Sequence, residues 1–208
     1  MESSKRSIAR KAMTAVIGAV AVVIATAATV WAADNLVPTQ TYSPTCSAGG
    51  DTSGVLCKTD GGWWYFYSQS SLEAGDKTRV ADVLNDEYAP TDLAVAQDTS
   101  PTYSGADETD LILKESAVPG TNDGITWCND PTSGYECDQH YVDIQPDLYS
   151  SRGLICHEAG HAVGLTHGAQ AYPVQSQTDP ALGCLRTPIG ATQDNLGSQQ
   201  VTNINLIY

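Results

Sequence analysis

The sequence predicts an α+β domain in which a sheet of about five strands carries three helices. Five short runs rich in β-branched and aromatic residues are separated by Ser, Thr, Asp and Gly turns, as strands are. Three other segments carry apolar residues at spacings of three and four, the periodicity of an amphipathic helix. The order along the chain is strand, helix, four strands, helix, loop and closing helix. At 208 residues the chain is long enough for one such domain and a processing segment.

The first 32 residues have the layout of a secretory signal peptide. Four basic residues precede an uncharged stretch rich in Ala, Val and Ile from residue 12 to 33, and small residues lie near its end. We expect cleavage after Ala32 and a secreted, extracellular protein. The stretch is also about long enough to cross a bilayer, so an uncleaved membrane anchor with the domain outside is the alternative.

The charge of the chain is strongly acidic, at -14 overall and at -17 (6 basic and 23 acidic residues) beyond residue 33. This excess of negative charge argues against nucleic acid as a partner. Solubility of an exported protein explains the acidity most simply. Bound Ca²⁺ is the second explanation, although the sequence has no EF-hand-like loop.

The six cysteines all follow the predicted signal, which favours disulfides in an oxidising compartment. Six cysteines allow 15 pairings, and pairing nearest neighbours gives three bridges. These are Cys46–Cys57, Cys128–Cys137 and Cys156–Cys184. A zinc site made of thiolates is the weaker alternative, because no two cysteines have close C-x-x-C spacing.

Residues 33–61 are predicted to be an irregular segment, rich in Thr, Ser, Pro and Gly and held by the first bridge, that precedes the domain of residues 62–208. The aromatic run WWYFYSQS that follows Gly62 has the composition of a strand. Residues 72–88 carry Val80, Val83, Leu84 and Tyr88 at helical spacing, so a helix is predicted there that ends before Pro90.

The second half contains strand-like runs at 92–97, 110–116, 124–128 and from His140 onward. Ser150 or Ser151 is placed to cap a helix that continues to Val163 and that Gly164 would end. Residues 195–208 are predicted to form the closing helix, and the chain has no internal repeat.

The segment HEAGHAVGLTHG, residues 157–168, carries the candidate metal ligands. His157 and His161 are four residues apart, so both face the same side of the helix one turn apart and can bind one ion. Gly164 lets the chain leave the helix so that His167 can supply a third nitrogen. Three nitrogen ligands leave one position for water, the arrangement of a catalytic Zn²⁺ site.

Glu158 is the candidate general base of this site. It follows His157 and so points about 100° away from it around the helix, towards the water rather than the ion. Zinc lowers the pKa of its bound water towards ~7, and Glu158 would take the proton from it. The fourth histidine, His140, begins a predicted strand and is interpreted as structural. A second metal contact or a substrate contact is the alternative for His140.

With this motif the sequence resembles the metzincin zinc proteases, and among them the matrixin-like catalytic domains. The resemblance is strongest over residues 157–168 and extends loosely over 62–208 through the order of the elements. It implies a zincin/metzincin-like fold: a twisted mixed sheet with an active-site helix, a second packed helix and a C-terminal helix. It also implies a monomeric endopeptidase acting on proteins or peptides, with GITWC as the edge strand that aligns an extended substrate.

The sequence departs from the family pattern below the zinc. Metzincins place a methionine in a turn there, whereas this chain has none after Met13. The segment GCLRTP at 183–188 resembles that turn with Leu185 in the methionine's place, which gives Leu185 a supporting role. The alternative is that Leu185 is an ordinary core residue. A bridge from Cys184 to Cys156 would fasten the turn to the active-site helix.

Two further positions bear on the subfamily. Thr187 stands where some metzincins carry a tyrosine, so we expect no tyrosine ligand, and the astacin-like and serralysin-like branches are disfavoured. Gly168 stands where adamalysins have Asp. The cysteine-switch pattern of matrixin propeptides is absent from the sequence.

Two other functions stay open at this level. The first is a catalytically inactive, zinc-containing binding module of the same fold. The second is a purely structural zinc, which would need a fourth protein ligand in place of water.

Overall fold

A mixed six-stranded sheet with helices packed on it forms the framework of the domain in this computed structural model. The structure describes residues 33–49, 55–105, 107–189 and 193–208. The predicted signal peptide, residues 1–32, lies outside them. The described residues pack as one compact unit.

The strands are mostly parallel, and only the edge strand β5 runs antiparallel to its neighbour β6. Neighbouring strands follow the order β1-β6-β4-β2-β3, with β5 also paired to β6. The strand bounds are β1 Lys58–Thr59, β2 Trp63–Ser68, β3 Ala94–Gln97, β4 Leu111–Glu115, β5 Gly124–Pro131 and β6 Glu136–Ile144. The helix bounds are α1 Ala74–Val83, α2 Arg152–Val163 and α3 Ser198–Ile207. All five strand runs and all three helices predicted from the sequence are present.

The core lies between the helices and one face of the sheet. Along β2, Trp64 and Phe66 point into this core while Trp63 stays exposed, because successive side chains of a strand alternate between faces. Helix α1 contributes Val80 and Val83 to the same cluster. Burying aliphatic and aromatic side chains of this size stabilises the fold by roughly 1.5–3 kcal/mol each.

Helix α2 lies at the centre of the domain, with every residue but Arg152 buried. Ser151 caps its start, accepting a hydrogen bond from the Leu154 amide at 3.2 Å. Gly164 ends it in the left-handed conformation at φ 99°, and a Cβ there would approach the Lys58 Cβ to 2.5 Å. Only glycine meets both conditions, so the predicted end of the helix follows from sterics.

Three boundaries differ from the sequence expectation. The helix predicted over 72–88 is α1 followed by a π-helical turn at Leu84–Tyr88. Residues 58–59, assigned to the irregular segment, pair with β6 and form the sixth strand. His140 lies inside β6 and not at its start, because the strand begins four residues earlier at Glu136. The ends of a strand carry no hydrophobic pattern of their own. Hydrogen bonding to the neighbouring strands therefore determines where the strand begins and ends.

The amino-terminal segment packs into the domain more deeply than the sequence indicates. Leu36 and Val37 are buried, and residues 34 and 36 form isolated β-bridges with Tyr172 and Leu165. Further along, the segment is joined to Cys57 through Cys46.

Among the described residues, no helix has both the length and the apolar character needed to cross a membrane.

The cysteines of the structure form three disulfides: Cys46–Cys57, Cys128–Cys137 and Cys156–Cys184. The first two pack together in a small buried cluster with Val55. The third joins α2 to the turn that contains Leu185. With the sulfurs paired in this way, no thiolate is left among the described cysteines for a zinc site.

Candidate metal centre and catalytic site

The three histidines of the motif converge on one point. The Nε2 atom of His157 lies 3.0 Å from that of His161 and 3.1 Å from that of His167. Helix α2 presents the first two one turn apart, and the chain turns at Gly164 to return the third. Among the described residues, no fourth Cys, Asp, Glu or His side chain joins this group of ligand atoms.

The other ring nitrogens determine the protonation of two histidines. His157 Nδ1 lies 2.8 Å from the Cys184 carbonyl and His161 Nδ1 lies 2.8 Å from the Leu165 carbonyl. A carbonyl accepts only, so each Nδ1 carries the hydrogen and each Nε2 presents a lone pair. Lone pairs facing one another at 3.0 Å repel unless a cation lies between them.

The electrostatics of the three rings also suit a cation. Burial, with the nearby His167 adding to its effect, lowers the pKa of His157 to about 3. Burial, with His157 and His167 beside it, holds the pKa of His161 well below its usual value, and burial also lowers that of His167. The rings are therefore neutral at pH 7. Tetrahedral zinc ligands at ~2.0–2.1 Å would place nitrogens about 3.3–3.4 Å apart, so the donor set fits Zn²⁺ closely.

Glu158 points into the cleft beside the histidines and is only 5 % exposed. The Thr126 hydroxyl lies 2.8 Å from both Oε2 and the main-chain oxygen of Glu158. Burial raises the pKa of the Glu158 carboxyl to about 7; the Thr126 hydrogen bond opposes that shift and Asp123 adds to it. A carboxyl held in one place with its pKa raised in this way is suited to exchanging protons at neutral pH.

Thr126 and Gly124 are site residues that the motif does not reveal. A Cβ on Gly124 would lie 2.7 Å from Glu158 Oε1, so a larger residue there would displace the carboxylate. Both residues belong to β5, more than thirty positions before Glu158. The sequence marks their segment as a strand, to which the family resemblance adds the alignment of substrate. The contact with Glu158 appears only in the folded chain.

The turn with Leu185 lies directly against helix α2. Leu185 is fully buried, and a Cβ on Gly160 would lie 3.0 Å from Leu185 Cδ2. Gly160 thus allows the turn to approach α2 immediately before His161. The same turn holds His157 through the Cys184 carbonyl and is bonded covalently to Cys156.

The cleft in front of the histidines has a volume of about 550 Å³. Residues of strand β5 line it, and apolar side chains from outside that strand line it as well. These side chains are Leu148, Leu154 and Ile189. Thr187 also lines the cleft. The cleft is large enough for a short stretch of extended chain.

His140 lies apart from this centre in position and chemistry. It is fully buried in β6 beside Leu111 of β4 and Cys128 of β5. Within the described part of the chain, neither ring nitrogen has a hydrogen bond of good geometry. Burial lowers its pKa to about 4, opposed in part by the Cys57 main chain. No group of candidate metal ligands found in the described residues includes it.

The change His140→Leu is expected to leave zinc content and activity intact and to stabilise the protein in acid. Because the native pKa of about 4 lies below the ordinary 6.5, the unfolded chain takes up the proton first. The contribution of the neutral His140 side chain to the free energy of unfolding is therefore full above pH 6.5 and is lost as the pH falls through 4. The loss between these two limits is about 3 kcal/mol. Thermal unfolding at pH 4.5 and pH 7.5 measures it. Loss of zinc from the Leu variant would restore the metal-contact interpretation.

A second cluster of charged groups lies where β5 ends and β6 begins. Carboxylate oxygens of Glu108, Asp130 and Asp138 lie within 4.8 Å of one another. Glu108 is only 7 % exposed, and its Oε2 atom has no hydrogen-bond partner within the described residues. Burial raises the pKa of Glu108, as do the charges of Asp130 and Asp138. The sequence predicts no link between these three residues.

Comparisons with known proteins do not assign the chain to a family. No model of a protein family matches the sequence, and no curated protein is similar to it. Among solved structures, the fold resembles high choriolytic enzyme 1, a hatching-enzyme zinc protease from the medaka fish Oryzias latipes, with a TM-score of 0.45. The sequences are 12 % identical, and the match covers 79 % of this chain and 98 % of that one. A likeness this distant carries no argument, so function is inferred from the site itself.

Proposed function

We propose that this protein is a secreted zinc-dependent endopeptidase of the metzincin type, with a matrixin-like catalytic domain. His157, His161 and His167 would hold one Zn²⁺, and Glu158 would act as the general base. The observation that carries the proposal is the convergence of three Nε2 atoms at 3.0–3.1 Å in the cleft that also holds the Glu158 carboxylate. The three disulfides are consistent with an extracellular location.

The bound metal supplies Lewis acidity, which lowers the pKa of water and polarises a carbonyl group. Glu158 accepts the proton of the attacking water and passes it to the leaving amine. Thr126 keeps the carboxylate turned into the cleft through its 2.8 Å hydrogen bond to Oε2. Because the water is the nucleophile, no side chain forms a covalent intermediate.

The substrate in this proposal is an extended peptide that adds to the sheet at β5. This strand pairs only with β6 in the described sheet, and its residues 124–127 line the cleft. Main-chain hydrogen bonds to such an edge accept any sequence, so selectivity would come from side-chain pockets. The apolar side chains of Leu148, Leu154 and Ile189, which line the cleft, favour an apolar substrate side chain beside the scissile bond.

Cleavage of a peptide library by the purified protein, with and without a zinc chelator, tests the proposal. We expect internal cuts next to apolar residues that stop on chelation and resume when Zn²⁺ is returned. If zinc is bound but no peptide is cut, the inactive binding module becomes the better description. Four protein ligands in the zinc coordination sphere would instead indicate a structural metal.

Calcium is the second cofactor that we propose, at the cluster of Glu108, Asp130 and Asp138. Glu108 is buried beside two other carboxylates, and its Oε2 atom has no hydrogen-bond partner within the described residues, which is costly unless a cation neutralises the charge. Ca²⁺ prefers carboxylate oxygens and tolerates irregular geometry. Such an ion would tie the chain before β4 to the hairpin of β5 and β6, which the Cys128–Cys137 disulfide also holds.

Calcium is expected to raise the melting temperature of the native protein by several degrees and to have no such effect on Glu108→Gln. A ligand present at 100 times its dissociation constant stabilises the folded state by about 2.7 kcal/mol. Asp82→Asn removes the same charge from the exposed side of α1 and should keep the response. An equal response in all three proteins would refute this location for the ion.

A further inference from the structure

The loop that carries His167 has little regular structure of its own. After Gly164 the chain leaves α2, and it next forms a single 3-10 turn at Gly168–Gln170. Between these points lie Leu165, Thr166 and His167, which belong to no helix or strand of the described chain. A metal ligand on such a segment depends on contacts from elsewhere to hold its position.

Asn35 supplies such contacts to Thr166, the residue that precedes His167. The Thr166 amide donates to the Asn35 carbonyl at 2.7 Å, and the Asn35 side-chain amide donates to the Thr166 carbonyl at 2.9 Å. The Thr166 hydroxyl also donates to the Asn35 carbonyl at 3.1 Å. Every polar group of Thr166 is thus bonded to one residue, 131 positions earlier in the chain.

Asn35 is itself held by the closing helix. Its Oδ1 atom accepts from the Asn203 side chain at 2.7 Å and from the Gln199 side chain at 3.5 Å. Asn203 also donates to the Ala33 carbonyl at 3.0 Å. Asn35 and Thr166 are fully buried, so water cannot replace these bonds if they are lost.

The same amino-terminal segment also forms hydrogen bonds with the residues that follow His167 in the chain. Asp34 and Tyr172 exchange main-chain hydrogen bonds at 2.7 and 2.8 Å. The hydroxyls of Thr39 and Thr41 donate to the Gln170 carbonyl at 2.6 and 2.7 Å. His167 therefore lies on a loop that is fixed on both sides by residues 34–41.

We propose that residues 34–41 form a positioning strap for the third metal ligand, with Asn35 as its principal residue. The strap links α3 to the loop of His167 and sets where the third imidazole meets the other two. This proposal rests on the zinc site of the proposed function, but it concerns metal affinity and geometry rather than cleavage. A residue that orients a ligand from behind typically changes metal affinity by 10- to 100-fold.

The test is the metal affinity of the full chain carrying Asn35→Ala, measured by competition with a chelator at a temperature where all variants are folded. We expect the dissociation constant for Zn²⁺ to rise about 10- to 100-fold. The visible absorption of the Co²⁺-substituted protein, which reports coordination geometry, should shift as well. Gln139→Ala is the matched control, because this buried amide bonds the main chain of Thr102 and Thr109 at another loop.

Gln139→Ala should keep the native Zn²⁺ affinity and Co²⁺ spectrum even if its melting temperature falls. An Asn35→Ala protein with both native properties would overturn the proposal. If Asn35→Ala does not fold, the double variant Thr39→Val and Thr41→Val tests the proposal instead. We expect its affinity for Zn²⁺ to be several-fold weaker, and an unchanged affinity would refute the proposal. If Zn²⁺ binding depends on Asn35 but the native protein cuts no peptide, the proposed function fails and the strap stands.

Discussion

Glu158→Gln is expected to retain zinc and fold while peptide cleavage falls by about 10²- to 10⁴-fold, the usual contribution of a general acid-base group. The amide is nearly the same size as the carboxylate and can still accept the hydrogen bond of Thr126. It cannot accept a proton from water at neutral pH. Turnover at saturating peptide and zinc content by metal analysis are the two measurements.

The control for this change is Glu115→Gln on β4, which makes the same replacement outside the cleft. It should leave both turnover and zinc content as in the native protein. Near-native turnover in Glu158→Gln would remove Glu158 from the proposed mechanism. Loss of zinc from it would instead give Glu158 a part in binding the metal.

His161→Ala is expected to weaken zinc binding by a hundredfold or more and to lose cleavage with it. A folded zinc site with four ligands is worth about 10–16 kcal/mol, so one ligand accounts for roughly 3 kcal/mol, or a hundredfold or more in affinity. The change also removes the 2.8 Å bond from Nδ1 to the Leu165 carbonyl, which lies on the loop leading to His167. Chelator competition and peptide cleavage on the same sample give the two readings.

His140→Leu is the matched control, since it removes the one histidine that lies outside the motif. It should bind zinc and cleave peptide as the native protein does. A His161→Ala protein that still holds zinc with native affinity would mean that the ion is bound elsewhere. A variant that keeps zinc and loses only cleavage would make His161 part of the reaction rather than of the metal site.

The cation interpretation of the histidine cluster and the strap proposal depend on different contacts. The former rests on three facing lone pairs, two of them defined by the carbonyl oxygens of Cys184 and Leu165. The latter rests on bonds between Asn35 and Thr166 that exist whether or not a metal is bound. Measuring affinity and cleavage separately therefore distinguishes a failure of one from a failure of the other.

The amino-acid sequence by itself determined the local part of this protein. The spacing of His157 and His161 places both on one side of α2, and the predicted caps, Ser150 or Ser151 and Gly164, bound that helix, with Ser151 as the cap in the structure. These features depend on residues within a few positions of one another, so periodicity and capping preferences reveal them. The alternating aromatic pattern of β2 was predictable for the same reason.

Only the tertiary structure decided what surrounds the ligands. Thr126 reaches Glu158 across 32 positions, and Asn35 reaches Thr166 across 131. A buried hydrogen bond depends on the burial and geometry of its two groups and not on their spacing along the chain. No pattern in the sequence therefore identifies either pair. The motif therefore names the candidate zinc ligands, whereas the packing of β5 and of the amino-terminal segment against α2 and its following loop sets their arrangement.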